Sequence, residues 1–379
     1  MSLRDKLKAD AIAAPQRSLT WFQRFGIVEN PFPPAGQPAG HPHMETSVDD
    51  EVFIKISSFT RDNTSQVLVI EGNQGVGKTN LLAHYENELR EAYREEPSYY
   101  VIRYYMDPEP SFDGILRRLF QELGTAHLKL LAIAISRLSV DEQERITELV
   151  RSHEVRAMLL SLSKAANDAQ VLEDRCELAL EWLTGLRVLN RHRDELCVQY
   201  RLDTVESKTQ ALRDIVECSC HLGTLKAIFL LLDELEKQDY SVSKMMLLRY
   251  LSAVRAIIDA LPRHLFLMIA LTSVARRRYF EILPAFAGRL QNIIALHPLR
   301  DADQAYKLSA FYLGIARQRA RDTMTTGTAG KHDPLPEAEV VKLFEDLLER
   351  AVTRGSEGVS QRDFLNQLHI VAENVLQSV

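Results

Sequence analysis

The sequence predicts an α/β fold with a parallel five-stranded sheet, a long helical insertion and a C-terminal helical lid. Five short apolar runs, rich in β-branched or aromatic residues, have the composition of buried strands. Segments with helical periodicity lie between them, which is the pattern of a parallel sheet whose strands are joined by crossover helices. Residues 111–222, between the second and third runs, are almost wholly helical and far exceed the needs of one crossover.

Length and composition limit the class of protein. The 379 residues are enough for two or three domains, and the hydrophobic share of 46% and charged share of 26% are typical of a globular protein. No apolar run approaches the ~18 residues of a membrane span, and the charged N-terminus does not resemble a secretory signal. We therefore expect a cytoplasmic protein with no membrane partner. The formal net charge of −6 argues against a uniformly basic, DNA-coating surface.

Cysteine and histidine usage gives no strong metal signal. The cysteines are too few for a disulfide framework in a chain of this size, and they are Cys176, Cys197, Cys218 and Cys220. The Cys218-x-Cys220 pair sits in a helical pattern without a second ligand pair, which favours reduced structural thiols over a metal site. His41 and His43 lie in a proline-containing loop, and we expect them to be solvated rather than metal-bound.

The most specific motif follows the first predicted strand, Gln66–Ile70. It fits the pattern G-x-x-x-x-G-K-[ST] and reads Gly72-Asn73-Gln74-Gly75-Val76-Gly77-Lys78-Thr79. Glycines let successive backbone N–H groups point at a phosphate, and the helix predicted from Asn80 adds a partial positive charge at its N-terminus. We therefore predict that residues 72–80 bind ATP, with Lys78 on the β- and γ-phosphates and Thr79 on Mg²⁺. The alternative is an ordinary glycine-rich turn between a strand and a helix.

Residues 1–50 are predicted to be an N-terminal linker that packs on the nucleotide site. The aromatic, proline-rich run from Trp21 to Pro34 cannot continue one helix, because each proline removes a donor and restricts its neighbour. Its large apolar groups favour contact with a folded domain over exposure to water. Packing against a nucleotide base and plain core packing are equal alternatives for this run.

The insertion is predicted to contain several helices. Apolar positions recur every three or four residues over Ile115–Leu123, Ala126–Leu138, Ile146–Leu162 and Val171–Leu189. A basic cluster follows, made of Arg187, Arg191, His192 and Arg193. We interpret it as a solvated helix face, with contact to nucleic acid or a partner as the alternative.

Two later strands end in polar residues. The apolar run 225–232 is followed by Asp233 and Glu234, which at the carboxyl end of a central parallel strand would reach a binding site. Asp233 can order Mg²⁺, and Glu234 can polarise the water that attacks the γ-phosphate. The run Leu265–Leu271 is followed by Thr272 and Ser273, either of which could hydrogen-bond the γ-phosphate.

Arginines are prominent in the rest of the chain. Two groups are candidate basic strips, or else solvated helix faces: Arg276, Arg277, Arg278, and Arg317, Arg319, Arg321. Arg289 precedes the fifth predicted strand, Asn292–Leu296. Residues 301–379 form the predicted lid, with helices over Ala305–Ala320, Ala338–Val352 and Gln361–Leu376. Arg362 lies in the first turn of the last helix, where the helix dipole disfavours a cation unless an anion such as a γ-phosphate is near.

The order of these parts resembles the AAA+ ATPases. Within them, three segments resemble the initiator-type clade of origin-recognition, ExeA-like and transposition-regulator ATPases. They are the run Phe25 to Phe32, the pair Arg289-Leu290 that precedes His297-Pro298-Leu299, and the run Gly358 to Leu365. Two short segments are similar to segments of the P-loop ATPases of BREX-type phage-defence systems. They are Glu181 to Gly185 and Leu231 to Glu236. The resemblance implies an ASCE P-loop NTPase core over residues 51–300. No winged-helix domain follows the lid, so we expect no autonomous origin-type DNA recognition.

The resemblance also implies roles for the polar residues. Lys78 and Thr79 would bind phosphate and Mg²⁺, and Asp233 and Glu234 would form the Walker B pair. Thr272 or Ser273 would be sensor 1. Arg289 would be an arginine finger that reaches a neighbouring subunit, and Arg362 would be sensor 2.

We therefore expect a homo-oligomer that uses ATP in a DNA-associated process of phage defence or mobile elements, with a protein effector or nuclease as partner. One alternative is a nucleotide-gated scaffold that does not touch nucleic acid. Another is a small-molecule kinase, which would leave the two distal arginines and the lid without a role.

Overall fold

The computed structural model describes residues 22, 24–34, 41–105, 113–186, 189–235, 243–322 and 333–377. Predictions for Trp21, Arg187 and the first twenty residues lie outside the described residues. The strands are β1 Gln66–Glu71, β2 Tyr99–Tyr105, β3 Ala227–Asp233, β4 Leu265–Leu271 and β5 Asn292–Ala295. Among the described residues, no helix combines the length and apolar character needed to cross a membrane.

The helices that flank the sheet in sequence are α1 Ser47–Asp62, α2 Lys78–Ala92, α9 Lys244–Ala260, α10 Ser273–Ile282 and α11 Pro284–Ala287. The insertion contains α3 Gly114–Ser136, α4 Val140–Leu149, α5 His153–Ala165, α6 Ala169–Leu183, α7 Asn190–Leu196 and α8 Val205–His221. The C-terminal helices are α12 Ala302–Asp322, α13 Glu337–Thr353 and α14 Gln361–Gln377.

The five strands form one sheet in the order β2-β3-β4-β1-β5. The pairs β2·β3, β3·β4 and β1·β4 are parallel, with Leu230 opposite Leu267 and Val67 opposite the same residue. Every residue of β3 and β4 is buried, as the continuous apolar runs require of central strands. The strand β4 lies between β1 and β3. The predicted α/β fold class, with its five-stranded sheet, helical insertion and C-terminal helices, is confirmed.

The chain divides into two compact units. One contains the described parts of 1–46 together with 72–84 and 295–377, and the other contains 47–71 and 85–294. The predicted boundaries at residues 50 and 300, and the insertion limits 111 and 222, stay predictions.

The insertion differs from its prediction at one helix. The prediction of a single helix over Ile146–Leu162 is wrong, because the helical conformation is interrupted between α4 and α5. Val150 is extended, with φ −83° and ψ 107°, and the Ser152 side chain accepts a hydrogen bond from the Val155 N–H. A serine that caps a new helix in this way competes with continuation of the old one.

Two glycines shape the neighbouring helices. Gly124, with φ 67°, kinks α3, so the segments predicted as Ile115–Leu123 and Ala126–Leu138 are two halves of one bent element. Helix α6 ends at Leu183, and its predicted extension to Leu189 is wrong because Gly185 has φ 80°. A glycine in the left-handed region is a common helix terminator.

The four cysteines form no disulfide bonds. Burial raises the pKa of Cys176 to about 11 and the pKa of Cys218 and Cys220 to about 12. Such thiols hold their protons at neutral pH and are poor nucleophiles, which fits a structural role.

A buried histidine lies in the core of the larger unit. His127 on α3 is fully buried, with Nδ1 2.9 Å from the Tyr100 hydroxyl and Nε2 2.8 Å from the Ser219 Oγ. The two hydroxyls satisfy both nitrogens of a neutral ring, one by donating and the other by accepting. Burial lowers the pKa of His127 to about 4. The folded protein therefore resists protonation of this ring, whereas the unfolded chain does not.

We expect this histidine to make stability fall in weak acid. Because the folded pKa lies below the ordinary value, the contribution is complete above pH ~6.5 and is lost as the pH falls towards 4. Between pH 7.5 and 5.0 the loss should be about 2 kcal/mol. Urea unfolding of wild type and His127→Gln at both pH values measures it, with exposed His221→Gln as the control. An equal pH dependence in wild type and His127→Gln would contradict the assignment.

Candidate functional site

The predicted phosphate loop joins β1 to α2 and has the backbone that its glycines allow. Gly75 and Gly77 have φ of 79° and 104°, a region that other residues rarely adopt. A Cβ at Gly72 would come within 2.9 Å of the Leu296 carbonyl oxygen. The motif glycines are therefore required by backbone geometry and packing. This argues against the alternative of an arbitrary turn.

Lys78 is the first residue of α2 and its side chain turns back over the loop. Its Nζ donates hydrogen bonds to the carbonyl oxygens of Gly72, at 2.8 Å, and Asn73, at 3.2 Å. An ammonium group beside a helix N-terminus and a left-handed glycine backbone is a local concentration of positive potential. This arrangement suits an anion such as a phosphate.

The first turn of α14 lies against the same loop. The Arg362 N–H donates to the Gly75 carbonyl oxygen at 3.0 Å, and the Ser360 Oγ accepts from the Asp363 N–H at 3.1 Å. A Cβ on Gly75 would come within 2.9 Å of that Oγ. The structure therefore brings Arg362 to the phosphate loop, as its predicted role requires, and the role itself stays a prediction.

The N-terminal run packs on the C-terminal helices. The Asn30 amide donates to the His369 carbonyl oxygen at 3.1 Å and to the Glu373 carboxylate at 3.0 Å. Phe22 and Ile27 pack with Leu313 of α12. The core-packing alternative therefore applies to these two side chains. Prolines of the run and Tyr312 line a cavity of about 500 Å³, and base packing there stays a prediction.

The two histidines predicted to be solvated lie close to this run in sequence. His41 lines the same cavity, and the His43 ring stacks on His84 with 4.3 Å between centroids. The amide of Asn80, in the first turn of α2, donates to the Pro42 carbonyl oxygen at 3.3 Å. Thus Asn80, assigned to ATP from its position, fixes the 41–46 segment with its side chain.

In the other unit, Asp233 ends β3 and is almost fully buried. Its Oδ2 lies 2.8 Å from an NH2 nitrogen of Arg103 on β2, and its Oδ1 accepts the Glu234 N–H at 3.0 Å. The Arg103 guanidinium is 3.4 Å from the Glu86 carboxylate and stacks over the Tyr105 ring at 4.6 Å. The acid predicted to order Mg²⁺ is therefore held by a buried arginine.

Sequence reasoning did not identify Arg103. The signal was available, because it is the single charge in a strand that otherwise reads Tyr-Tyr-Val-Ile-Arg-Tyr-Tyr. A charged residue in such a strand needs a buried partner. The identity of that partner was not available, since Asp233 is 130 residues away.

Glu234 has an uncommon backbone conformation. Its φ of 58° places a residue with a Cβ in the left-handed region, which costs on the order of 1 kcal/mol or more. The following residue is anchored, because the buried Tyr279 hydroxyl donates to the Leu235 carbonyl oxygen at 3.1 Å. Strain of this kind is most common at functional residues, where surrounding contacts impose it.

The hydroxyl pair after β4 occupies the start of α10. The Thr272 Oγ1 caps this helix by accepting the Ala275 N–H at 3.2 Å, and Ser273 is the first helical residue. Because β4 neighbours β3, Thr272 and Glu234 follow adjacent strands of the sheet. The capping bond uses the Thr272 oxygen as an acceptor and leaves its hydrogen available to donate.

One arginine of each candidate basic strip makes contacts within the protein. Arg276 lies 2.6 Å from the Glu71 carboxylate and stacks over Phe280 at 5.2 Å. Arg317 donates to the Phe25 carbonyl oxygen at 3.2 Å and pairs with Asp333 at 2.9 Å. Internal ion pairs and hydrogen bonds engage Arg276 and Arg317, and contact of the two strips with DNA stays a prediction.

Arg289 lies in the link between α11 and β5. Its side chain is 49% exposed and pairs with Asp259, near the end of α9, at 2.8 Å. Arg255 pairs with the same carboxylate at 3.1 Å. An exposed arginine held by one half-exposed ion pair can leave that partner at small cost, because such pairs contribute about 0–1 kcal/mol.

The residues suit the ligands that the motif implies. The loop supplies glycine backbone, a helix N-terminus and an ammonium group for phosphate. In the same unit, Thr79 supplies a hydroxyl, which is an oxygen ligand of the type that Mg²⁺ prefers. No other chemistry is needed to explain these residue types.

Comparison with known proteins identifies a family for this chain and finds solved structures that are similar to it only at a low level. The chain is similar to the Aeropyrum pernix ORC2 protein in its ADPNP-ADP complexes, at 13% identity and a TM-score of 0.41, with 88% of this chain and 69% of that chain covered. The ADP form of the same protein has 15% identity and a TM-score of 0.38, with 88% of this chain and 70% of that chain covered. The Walker-type ATPase PABY2304 of Pyrococcus abyssi has 16% identity and a TM-score of 0.31, with 87% of this chain and 74% of that chain covered. Similarities this low carry no argument about function.

No curated protein sequence matches the chain. A family model described as an AAA domain matches residues 61–269, more than half of the chain. The matched region contains the phosphate loop, Arg103 and the Asp233-Glu234 pair. The chain therefore belongs to the AAA domain family of nucleotide-binding P-loop ATPases.

Proposed function

We propose that this protein is a Mg²⁺-dependent ATPase that oligomerises and completes each ATP site with Arg289 from a neighbouring copy. The observation that carries the proposal is the phosphate loop. It has two left-handed glycines, an ammonium group at a helix N-terminus, and the Arg362 backbone bonded to the Gly75 carbonyl. The proposal extends the family assignment to a metal, an assembly and a set of catalytic roles.

On the phosphate side, Lys78 would leave the loop carbonyls for the β- and γ-phosphates. It needs no new backbone arrangement to do so, because its Nζ already lies over the loop. Arg362 would bind the γ-phosphate from the lid. Mg²⁺, held by Thr79 and Asp233, would neutralise phosphate charge.

On the acid side, Glu234 would orient the attacking water and accept its proton. Its backbone is held by the Asp233 carboxylate and by the anchored Leu235. Thr272 would donate its remaining hydroxyl hydrogen to the γ-phosphate or to the water. These groups do not form covalent bonds, so positioning and charge would account for catalysis.

Arg289→Ala is expected to lower turnover by about 10³-fold or more without weakening ATP binding. If the arginine acts from a neighbour, Arg289→Ala and Lys78→Ala copies should complement each other. The first supplies an intact phosphate loop and the second supplies an intact finger. Turnover of each variant alone and of an equimolar mixture measures this, with Arg255→Ala, which pairs with the same Asp259, as the control. Full activity of Arg289→Ala alone, or no recovery on mixing, would contradict the role.

We propose that the ATPase serves a DNA-associated process of phage defence or mobile elements in the cytoplasm. Its partner there would be a protein effector or a nuclease. The proposal is supported by the similarity of the short segments that begin at Glu181 and Leu231 to segments of BREX-type ATPases. The initiator-type order of parts also supports it.

A nucleotide-gated scaffold without nucleic-acid contact is the second candidate function. The internal engagement of Arg276 and Arg317 favours it, because it removes one arginine from each candidate strip. A salt titration of DNA binding separates the two candidates. Phosphate contacts give a steep loss of affinity with salt.

A further inference from the structure

Helix α1 presents an acidic and apolar ridge, defined here as Asp50, Glu51, Phe53 and Ile54. Phe53 is 66% exposed and Ile54 is 62% exposed, which is unusual for adjacent large apolar side chains. Asp50 and Glu51 are exposed, and neither has an ion pair among the residues that the structure describes. Spacings of three and four residues place these acids on the same face as the apolar pair.

A groove runs between α8 and α9. It has a volume of about 900 Å³, within the range of sites that bury a ligand. Apolar side chains line much of it, including Val205, Leu248, Ala256 and Pro262. The alanines of α9, which lack long side chains, leave room for a helix to approach closely.

The groove has unpaired cations at its rim. Arg151 and Arg249 line it, are exposed, and form no ion pair within the described ranges. Its two acids are Glu206 and Asp259, and Asp259 is already paired with Arg255 and Arg289. The charge of this rim is therefore complementary to the acids of the α1 ridge.

The ridge and the groove belong to opposite faces of the sheet. Phe59 of α1 packs on Phe229 and Phe266, with ring centroids 5.4 and 5.5 Å apart. The neighbouring strand residue Ile228 packs instead in the core cluster that contains α8 and α9. Successive residues of a strand point to opposite faces, so α1 covers one face and the groove lies over the other. A chain cannot place its own ridge in its own groove.

We propose that the α1 ridge of one copy of this chain docks in the α8/α9 groove of the next copy. Phe53 and Ile54 would enter the apolar groove, and Asp50 and Glu51 would pair with Arg249 and Arg151. Because the donor and acceptor surfaces differ, one contact leaves the groove of the first copy and the ridge of the second copy free. Repetition of the contact therefore generates a ring or a filament rather than a closed pair.

The groove also borders Arg289 through Asp259. Docking at this groove places the proposed arginine finger beside the seam between copies. The inference rests on the proposed oligomerisation and names the surface that would carry it.

The first test uses substitutions on each surface. The ridge variant is Phe53→Ser with Ile54→Ser, and the groove variant is Arg151→Glu with Arg249→Glu. Light scattering with a nonhydrolysable ATP analogue at micromolar concentration should show wild-type assemblies and at least about tenfold weaker association for each variant. Tyr200→Ser removes an equally exposed aromatic group elsewhere, at 70% exposure, and should assemble like wild type.

Mixing gives the decisive result. The ridge variant retains a groove and the groove variant retains a ridge, so their mixture should form dimers that neither forms alone. Reversing the acids as well, with Asp50→Lys and Glu51→Lys added to the groove variant, should restore longer assemblies. Wild-type assembly by both variants, or a mixture that stays monomeric, would overturn the proposal.

Binding of a fluorescent ATP analogue by every variant shows that the chains are folded. If wild type binds the analogue and remains monomeric, the proposed oligomerisation fails, and this contact fails with it. If wild type assembles and the ridge and groove variants assemble equally well, only this contact is wrong and the proposed function stands.

Discussion

Arg103→Ala is expected to lower the free energy of unfolding by about 3–5 kcal/mol. The side chains of Arg103 and Asp233 are 3% and 1% exposed, and their charged atoms are 2.8 Å apart. Removing the guanidinium takes from this buried carboxylate the cation that lies 2.8 Å away. The loss should appear as a lower midpoint in urea unfolding at neutral pH.

Arg90→Ala is the matched control for this prediction. Arg90 pairs with Glu86, as Arg103 does, but its side chain is 53% exposed, so its loss should cost less than about 1 kcal/mol. The double variant Arg103→Ala, Asp233→Ala should be less destabilised than the sum of the single variants, because it removes both charges of the pair together. A cost below about 1 kcal/mol for Arg103→Ala would show that the pair does not support the strand ends.

Large effects on activity are also expected at Lys78 and Glu234. Lys78→Ala should lose ATP binding, because its ammonium group is the cation that the structure places over the phosphate loop. Glu234→Gln keeps the shape and the strained backbone position but cannot accept a proton. Turnover should therefore fall by about 10²–10⁴-fold while ATP affinity is retained.

Equilibrium binding of a fluorescent ATP analogue and steady-state phosphate release separate these outcomes. Glu281→Gln, an exposed acid on α10, is the control and should match wild type in both assays. Hydrolysis by Glu234→Gln at the wild-type rate would remove Glu234 from its proposed role. Tight binding by Lys78→Ala would remove the lysine from phosphate recognition.

The features predicted well from the sequence depend on neighbours in the chain. The phosphate loop requires glycines at fixed spacing, and β3 and β4 are apolar runs whose limits follow from composition. Arg362 was placed at a helix start from Ser360 and Asp363, and the capping bond between those residues is present. These signals need no knowledge of the tertiary structure.

The features that were missed depend on contacts between distant segments. Arg103 meets Asp233 only after β2 and β3 pair, across the entire helical insertion. Arg276 pairs with the Glu71 carboxylate and Arg317 donates to the Phe25 carbonyl oxygen, and neither partner is near its arginine in the sequence. The helix break at Ser152 was missed because apolar periodicity continues through it, although the capping serine is visible in the sequence.

The central claim is that ATP turnover depends on contact between copies, and it is tested most directly by turnover per chain as a function of protein concentration. If Arg289 completes a neighbour's site, turnover per chain should be low in dilute solution. It should rise steeply over the concentration range in which light scattering detects assembly. A constant turnover per chain across that range would contradict the account and would make this protein an ATPase that works as a single copy.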